Sequence, residues 1–188
     1  MIISITGSPG SGKSTVGEKL AEKLNYQRYN AGAIRRQVAK EKEMTLAEFN
    51  EWSKNNIAGE RVVDDFLEKT ASDGSDNIVV EGRLAWHFIP QSLKIYLYAT
   101  SEEGAKRIWS SYEQDKEKRN EDNIKSLEDL IISVKNREKN DDTRYKKHYN
   151  INMFRKENYD LYLDVTNMNP QQEFEAVYQF IKKHLEKE

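Results

Sequence analysis

Cysteine is absent from this 188-residue chain, which excludes a disulfide framework and any thiolate metal site. Only three prolines occur, so Gly, Asn and Asp must supply most of the punctuation between elements. No apolar run approaches the length that spans a bilayer, and the first residues read as a core strand in place of a signal peptide. Net charge is nearly absent too. The 30 basic and 32 acidic side chains almost cancel, leaving no global field to steer the protein to nucleic acid or a membrane surface. The three histidines, His87, His148 and His184, are too scattered for a metal site. No Ser/His/Asp arrangement can be argued from the spacing. What remains is a polar chain, 33% charged and 37% apolar, without internal repeats or a linker. It is long enough for one three-layer domain over residues 1–188, and a cytoplasmic location is the expectation.

One stretch near the start is dense in meaning: Gly7-Ser-Pro-Gly-Ser-Gly-Lys-Ser-Thr15. It follows the apolar run Ile2, Ile3 and Ile5 and leads into Val16, Leu20 and Leu24, spaced four apart. Strand, glycine loop and helix is the context in which G-x-x-x-x-G-K-[ST] signifies a phosphate-binding loop. Gly7, Gly10 and Gly12 let the backbone curl until N–H groups point inward, where they and the helix N-terminus meet phosphate oxygens. Gly7, Ser8, Gly10, Ser11, Gly12, Lys13, Ser14 and Thr15 are therefore the candidate ATP phosphate-binding residues. Lys13 adds a cation for the β- and γ-phosphates, and the Ser14 hydroxyl is placed to ligate Mg²⁺.

The rest of the chain alternates strand and helix patterns. Asn25 is a stop for the first helix, a short strand covers 26–30, and Gly32 opens a helical segment bearing Arg35 and Arg36. Thr45-Leu-Ala-Glu48 is a capping-box pattern, with Leu46, Phe49 and Trp52 on one face. A further helical stripe runs from Val62 to Thr70 and ends in the SDGSD cluster. Ile78, Val79 and Val80 form the continuous apolar run of a central parallel strand, with Glu81-Gly-Arg83 at its C-terminal end. Leu93 to Ala99 reads as an alternating strand, followed by a helix from Ser101 and a charged segment at 115–123. Leu161, Leu163 and Val165 alternate in a last strand, and Asn169-Pro170 opens the closing helix. This order predicts an α/β, three-layer fold with a parallel five-stranded sheet flanked by helices. Ligands of such sheets lie beyond the carboxyl ends of the strands, so the glycine loop and Glu81-Gly-Arg83 should share one crevice.

The long helical segment from Ile124 to His148 changes character along one face. Ile124, Leu127, Leu130, Ile131 and Val134 are apolar, whereas the continuation reads Arg137, Asp141, Arg144 and His148. Two arginines with an aspartate between them suit a bidentate clamp on phosphate oxygens. They equally suit an exposed, salt-bridged helix end, and the residues by themselves leave both readings open. Glu81 can hold Mg²⁺ through water or be a solvated strand end; Arg83 and Arg36 can meet a substrate phosphate or be surface charges. Trp52, Trp86 and Trp109 sit on helical stripes and are read as core.

Three kinds of phosphate-loop protein compete. A GTP switch needs a base-reading N/T-K-x-D, which is missing, and a transporter-type or motor ATPase needs a larger chain and coupling motifs such as LSGGQ. A small-molecule kinase needs a basic acceptor site and a cover that keeps water from taking the phosphoryl group. The arginines at 36, 83, 137 and 144, with the charged segment before the last two, fit that requirement.

The motifs ITGSPGSGKST, YNAGAIRR, VVEGRLA, REKNDDTRYKKHYNI and YDLYLDVTN, in this order, resemble the cytidylate kinase-like nucleoside monophosphate kinases, particularly their short, archaeal form. The resemblance runs from Met1 to about Phe180. It implies transfer of the γ-phosphoryl of ATP, with Mg²⁺, to a nucleoside monophosphate, CMP or dCMP first, giving a diphosphate and ADP. It further implies that Arg36, Arg83 and Asp64 contact the acceptor. Lys13, Arg137 and Arg144 become the catalytic cations, the two arginines in a lid over about 112–148, and the acceptor-binding insertion covers about 32–72. Nucleotides are the expected partners, with no nucleic acid or membrane, and the chain is expected to be a monomer or weak oligomer. Asp65, Phe66, Ala33 and Asn152 depart from the short-form pattern and bear on which base is read. Two rival expectations are a phosphate-loop kinase for another monophosphate or small metabolite, and an ATP-binding regulatory or RNA-associated switch.

Overall fold

A computed structural model describes residues 1–74, 76–114 and 124–186. The charged run at 115–123, and with it part of the expected lid, lies outside the described residues. Among those described, five parallel strands are ordered β2-β3-β1-β4-β5, with β1 over Ile2–Gly7, β2 over Gln27–Asn30, β3 over Ile78–Glu81, β4 over Leu93–Tyr98 and β5 over Leu161–Asp164. Every residue of β1 is buried, as befits a central strand covered on both faces. In register, Ile5 stands opposite Glu81 and Gly7 opposite Leu97. Strand β3 therefore ends two residues short of β1, and the chain that continues from Glu81 through Gly82 to Arg83 runs beside the end of β1 and the start of the glycine loop.

Helices cover both faces. On one, Val16 and Leu20 of α1 (Lys13–Leu24) and Val177 and Ile181 of α8 (Pro170–Leu185) pack on Ile3, Ile5, Ile95 and Leu97. Between β2 and β3 the chain makes α2 (Ala31–Glu41), α3 (Leu46–Asn55) and α4 (Ile57–Ser72). On the second face, Leu67 of α4 and Ile89, just after the short α5 (Ala85–Phe88), pack on Ile78 and Val80. Helices α6 (Ser101–Gln114) and α7 (Leu127–Tyr149) pack together through Ala105, Ile108, Leu130 and Val134.

Local sequence signals explain most boundaries. Asn25 ends α1 in the left-handed conformation at φ 55°, Thr45 and Glu48 form a reciprocal capping box, and Asn169 with Pro170 opens α8. Three expectations shift. Helix α2 starts at Ala31 because Asn30 caps it, and α7 starts at Leu127 because Ser126 accepts the Asp129 N–H. In β4, Ile95, Tyr96 and Leu97 are buried in succession, not alternately, because helices lie on both sides. Among the described residues no helix is long and apolar enough to cross a membrane.

Candidate active site

The glycine loop closes between β1 and α1. Gly10 and Gly12 hold left-handed backbone at φ 71° and 78°, and Gly12 is the cap residue of α1. The loop is pressed against α6: a Cβ on Gly10 would lie 2.1 Å from the carbonyl oxygen of Gly104. Ser8 and Ser11 are buried inside the loop, while Ser14 and Thr15 are exposed. Lys13 folds back over it, its Nζ donating to the Ser8 carbonyl at 2.5 Å and lying 3.4 Å from Ser11 Oγ. Burial first, and then the positive charges of Arg83 and Arg137, lower the Lys13 pKa to about 7. Three cations from three elements thus act on one another at the mouth of the loop.

Glu81 is buried at the end of β3. Its Oε1 accepts from Arg28 Nε at 2.6 Å and its Oε2 from Asn30 Nδ2 at 2.6 Å. Asn30 Nδ2 also reaches Ser14 Oγ at 3.2 Å, and Arg28 donates to the Ser14 carbonyl at 3.1 Å. Gly17 makes room for this cluster, since a Cβ there would lie 2.5 Å from Glu81 Oε1. Among the described residues no group of three or more His, Cys, Asp or Glu gathers around a metal position. The donor set suits magnesium nevertheless. It consists of hard oxygens, one exposed hydroxyl and one carboxylate whose oxygens are already engaged, which favours contact through water over direct ligation.

Across the cleft stand the arginines. Arg83 forms an ion pair with Asp141, Nε to Oδ2 at 3.1 Å, and its Nη1 is buried without a hydrogen-bond partner among the described residues. Arg144 donates to the other oxygen of Asp141 and to the Tyr145 hydroxyl, both at 2.8 Å, and its guanidinium lies over the Tyr145 ring. By sequence the aspartate stands between Arg137 and Arg144. In the fold it instead binds Arg144 and Arg83, joining α7 to the end of β3. The face does not turn wholly ionic either: Leu130, Val134, Asp141 and Tyr145 form its buried line, because Tyr145 returns to the core. Arg36 and Arg137 are exposed on the cleft wall. Asp64 is buried on α4, where it accepts from the Tyr149 hydroxyl at the end of α7.

One cleft of about 1390 Å³ joins these groups, its lining running from Gly12, Lys13 and Ser14 to Arg36, Asp64, Arg83, Arg137 and Arg144. The crevice inferred from strand ends is present and gathers the two sets of residues. Arg35, beside Arg36, also lines the cleft, and it ties α2 to α3: its Nε donates to Asn50 at 2.8 Å and its guanidinium covers the Phe49 ring. The departures from the short-form pattern fall away from the cleft lining. Asp65 is exposed and pairs with Arg61, Phe66 packs edge-on against Tyr29, and Asn152 accepts from the Phe154 N–H in a turn after α7.

Sequence reasoning missed four participants. Arg28 and Asn30 sit on a short edge strand; Arg28 is marked by nothing beyond its polarity, and Asn30 falls within YNAGAIRR without any role being assigned to it. Arg107 and Glu173 lie 66 residues apart, yet Arg107 Nη1 donates to Glu173 at 2.7 Å and its Nη2 to the carbonyls of Val165 and Met168. Glu173 lies directly under Gly12, and burial pushes its pKa up against the pull of Arg107.

Similarity to known proteins agrees with this arrangement. Residues 3–128 match the family model described as an AAA domain. A cytidylate kinase of Methanosphaera stadtmanae is 31% identical over 99% of this chain and 98% of its own length. The chain belongs to the cytidylate kinase family. Another member, from Pyrobaculum islandicum, is 34% identical over 90% of this chain and 86% of its own. This family member is thus a nucleotide kinase of the nucleoside monophosphate class. Among solved structures, the shikimate kinase of Bacteroides thetaiotaomicron superposes with a TM-score of 0.62, at 16% identity, over 99% of this chain and 98% of that one. That likeness concerns the fold alone.

Proposed function

We propose that this family member transfers the γ-phosphoryl of ATP to CMP or dCMP, giving ADP and the cytidine diphosphate. One observation carries the acceptor half of the reading. Arg83 is held from behind by Asp141, keeps a buried Nη1 without a partner among the described residues, and lies close enough to Lys13 to lower its pKa. A guanidinium fixed on one edge and unsatisfied on another, beside the glycine loop, is what a phosphate ester approaching that loop would complete.

Catalysis in this reading is positioning and charge neutralisation. The loop N–H groups and Lys13 hold the donor phosphates. A magnesium ion bound with ATP would supply charge that neutralises the donor phosphates, and Ser14 and Glu81 are the residues that would hold it. Arg83 and Arg36 orient the acceptor phosphate so that one of its oxygens attacks the γ-phosphorus in line while the bond to the β-phosphate oxygen breaks. Arg137 and Arg144 neutralise the equatorial oxygens as residues of about 112–148 close over the cleft. Asp64 lies on the acceptor side, within an insertion over about 32–72. We place the enzyme in the cytoplasm, as a monomer or weak oligomer with nucleotides as its partners.

The test is ADP production in a coupled assay with a panel of monophosphates and no RNA. CMP or dCMP should stimulate turnover most. Stimulation by a different monophosphate alone would move the assignment to that substrate. Turnover no higher than with ATP alone would overturn the reading in favour of a slow nucleotide switch.

A further inference from the structure

We infer that Asn30 is a positioning residue that links the metal side of the donor site to α2, the helix that carries the acceptor arginine Arg36. Its amide faces two ways. The oxygen Oδ1 accepts the Ala33 N–H at 2.8 Å and so caps α2. The nitrogen Nδ2 donates to Glu81 Oε2 at 2.6 Å and lies 3.2 Å from Ser14 Oγ. The orientation of the amide is forced by its partners, because a backbone N–H can only donate and a carboxylate only accept. One planar group therefore spans the start of α2 and two oxygen groups beside the phosphate loop.

The neighbours make this a link and not just a cap. Arg28 fixes the other oxygen of Glu81, and Gly17 leaves that carboxylate little room to turn. A change in Glu81 or Ser14 on donor binding is thus passed to Asn30. Helix α2 carries Arg35 and Arg36, and Arg35 ties it to α3 through Asn50. A shift of the first turn of α2 accordingly moves the acceptor wall. By reciprocity, an acceptor that orders α2 would strengthen donor binding by the same factor. No other standard cap residue does all of this. Aspartate caps the helix but brings a carboxylate against Glu81, and serine caps it without reaching across.

The inference rests on the donor and acceptor halves proposed above, and its test has two arms. In the first, amide hydrogen exchange of residues 31–41 is followed with and without a non-hydrolysable ATP analogue and Mg²⁺, with no acceptor present. Exchange should slow in the native chain and stay unchanged in both Asn30→Asp and Asn30→Ser, which retain a capping oxygen. In the second, calorimetry measures CMP affinity with and without the same analogue. The donor should raise CMP affinity about 5- to 150-fold in the native chain and less than about twofold in the variants. Equal slowing of α2 exchange in native and variant chains would overturn the link. So would a CMP affinity that falls by the same factor with and without donor, since that is the behaviour of a cap alone. If the native chain binds no monophosphate, the proposed function fails, and the exchange arm still decides on Asn30.

Discussion

The two halves of the cleft are built by different means. The proposed donor half is one contiguous stretch: strand end, glycine loop and helix start lie within nine residues, a geometry that offers backbone N–H groups to a phosphate. The proposed acceptor half is assembled from side chains on α2, α4, α7 and the end of β3, with Asp141 joining Arg83 to Arg144 and Tyr149 joining α7 to Asp64. A backbone site is specified by local conformation and tolerates change in the surrounding side chains. A side-chain site depends on charges being held apart from one another and from water by long-range partners, so single substitutions should act on it selectively.

That contrast can be broken first at Arg83. Arg83→Ala should lower kcat/KM for the acceptor about 10²- to 10³-fold, with higher acceptor KM and lower kcat, while ATP affinity stays nearly constant. Arg83→Lys should recover only part, because a point charge cannot bind Asp141 and a phosphate with one planar fork. Loss of ATP binding in Arg83→Ala, followed by equilibrium titration, would move Arg83 to the donor half.

The donor half should fail differently. Gly10→Ala places a Cβ 2.1 Å from the Gly104 carbonyl oxygen and in left-handed backbone. A stability loss of about 1–3 kcal/mol by denaturant melting, together with weakened ATP binding, is expected. Native stability in this variant would show that the loop and α6 are not held in contact.

A smaller effect should appear with pH. Lys13 has a pKa of about 7 in the free protein, and a bound phosphate favours its charged form. Below that pKa the lysine is already protonated and nucleotide binds at full strength. As pH rises above it, affinity should fall by up to about tenfold per unit until the bound-state pKa is passed. Affinity that stays flat over this range, measured by calorimetry, would mean that Lys13 keeps its proton without ligand.

Legibility in the sequence follows the same division. The loop residues and the caps at Asn25, Thr45 and Asn169 are readable because each depends on neighbours within a few positions. The ionic stretch of α7 is readable as a pattern but not as a set of pairings: Asp141 binds Arg83, 58 positions away, over Arg137 on its own helix. Arg28 carries no signal, since an edge strand places few demands on composition, and Asn30 is legible as part of a motif but not as the partner of Glu81. Arg107 with Glu173 is of the same kind, a half-buried arginine on a buried carboxylate that only folding brings together.

The sequence by itself determined the nature of the donor site, because left-handed glycines and a following helix create a phosphate-binding cradle from local geometry. It also determined the sheet class, through the alternating order of strand and helix segments and the continuous apolar run at Ile78, Val79 and Val80. Only the tertiary structure decided what faces that cradle. Distances between charges on separate elements are set by packing, and packing chose which guanidinium Asp141 holds, which carboxylate Arg28 engages, and which side of Asn30 caps the helix that completes the cleft.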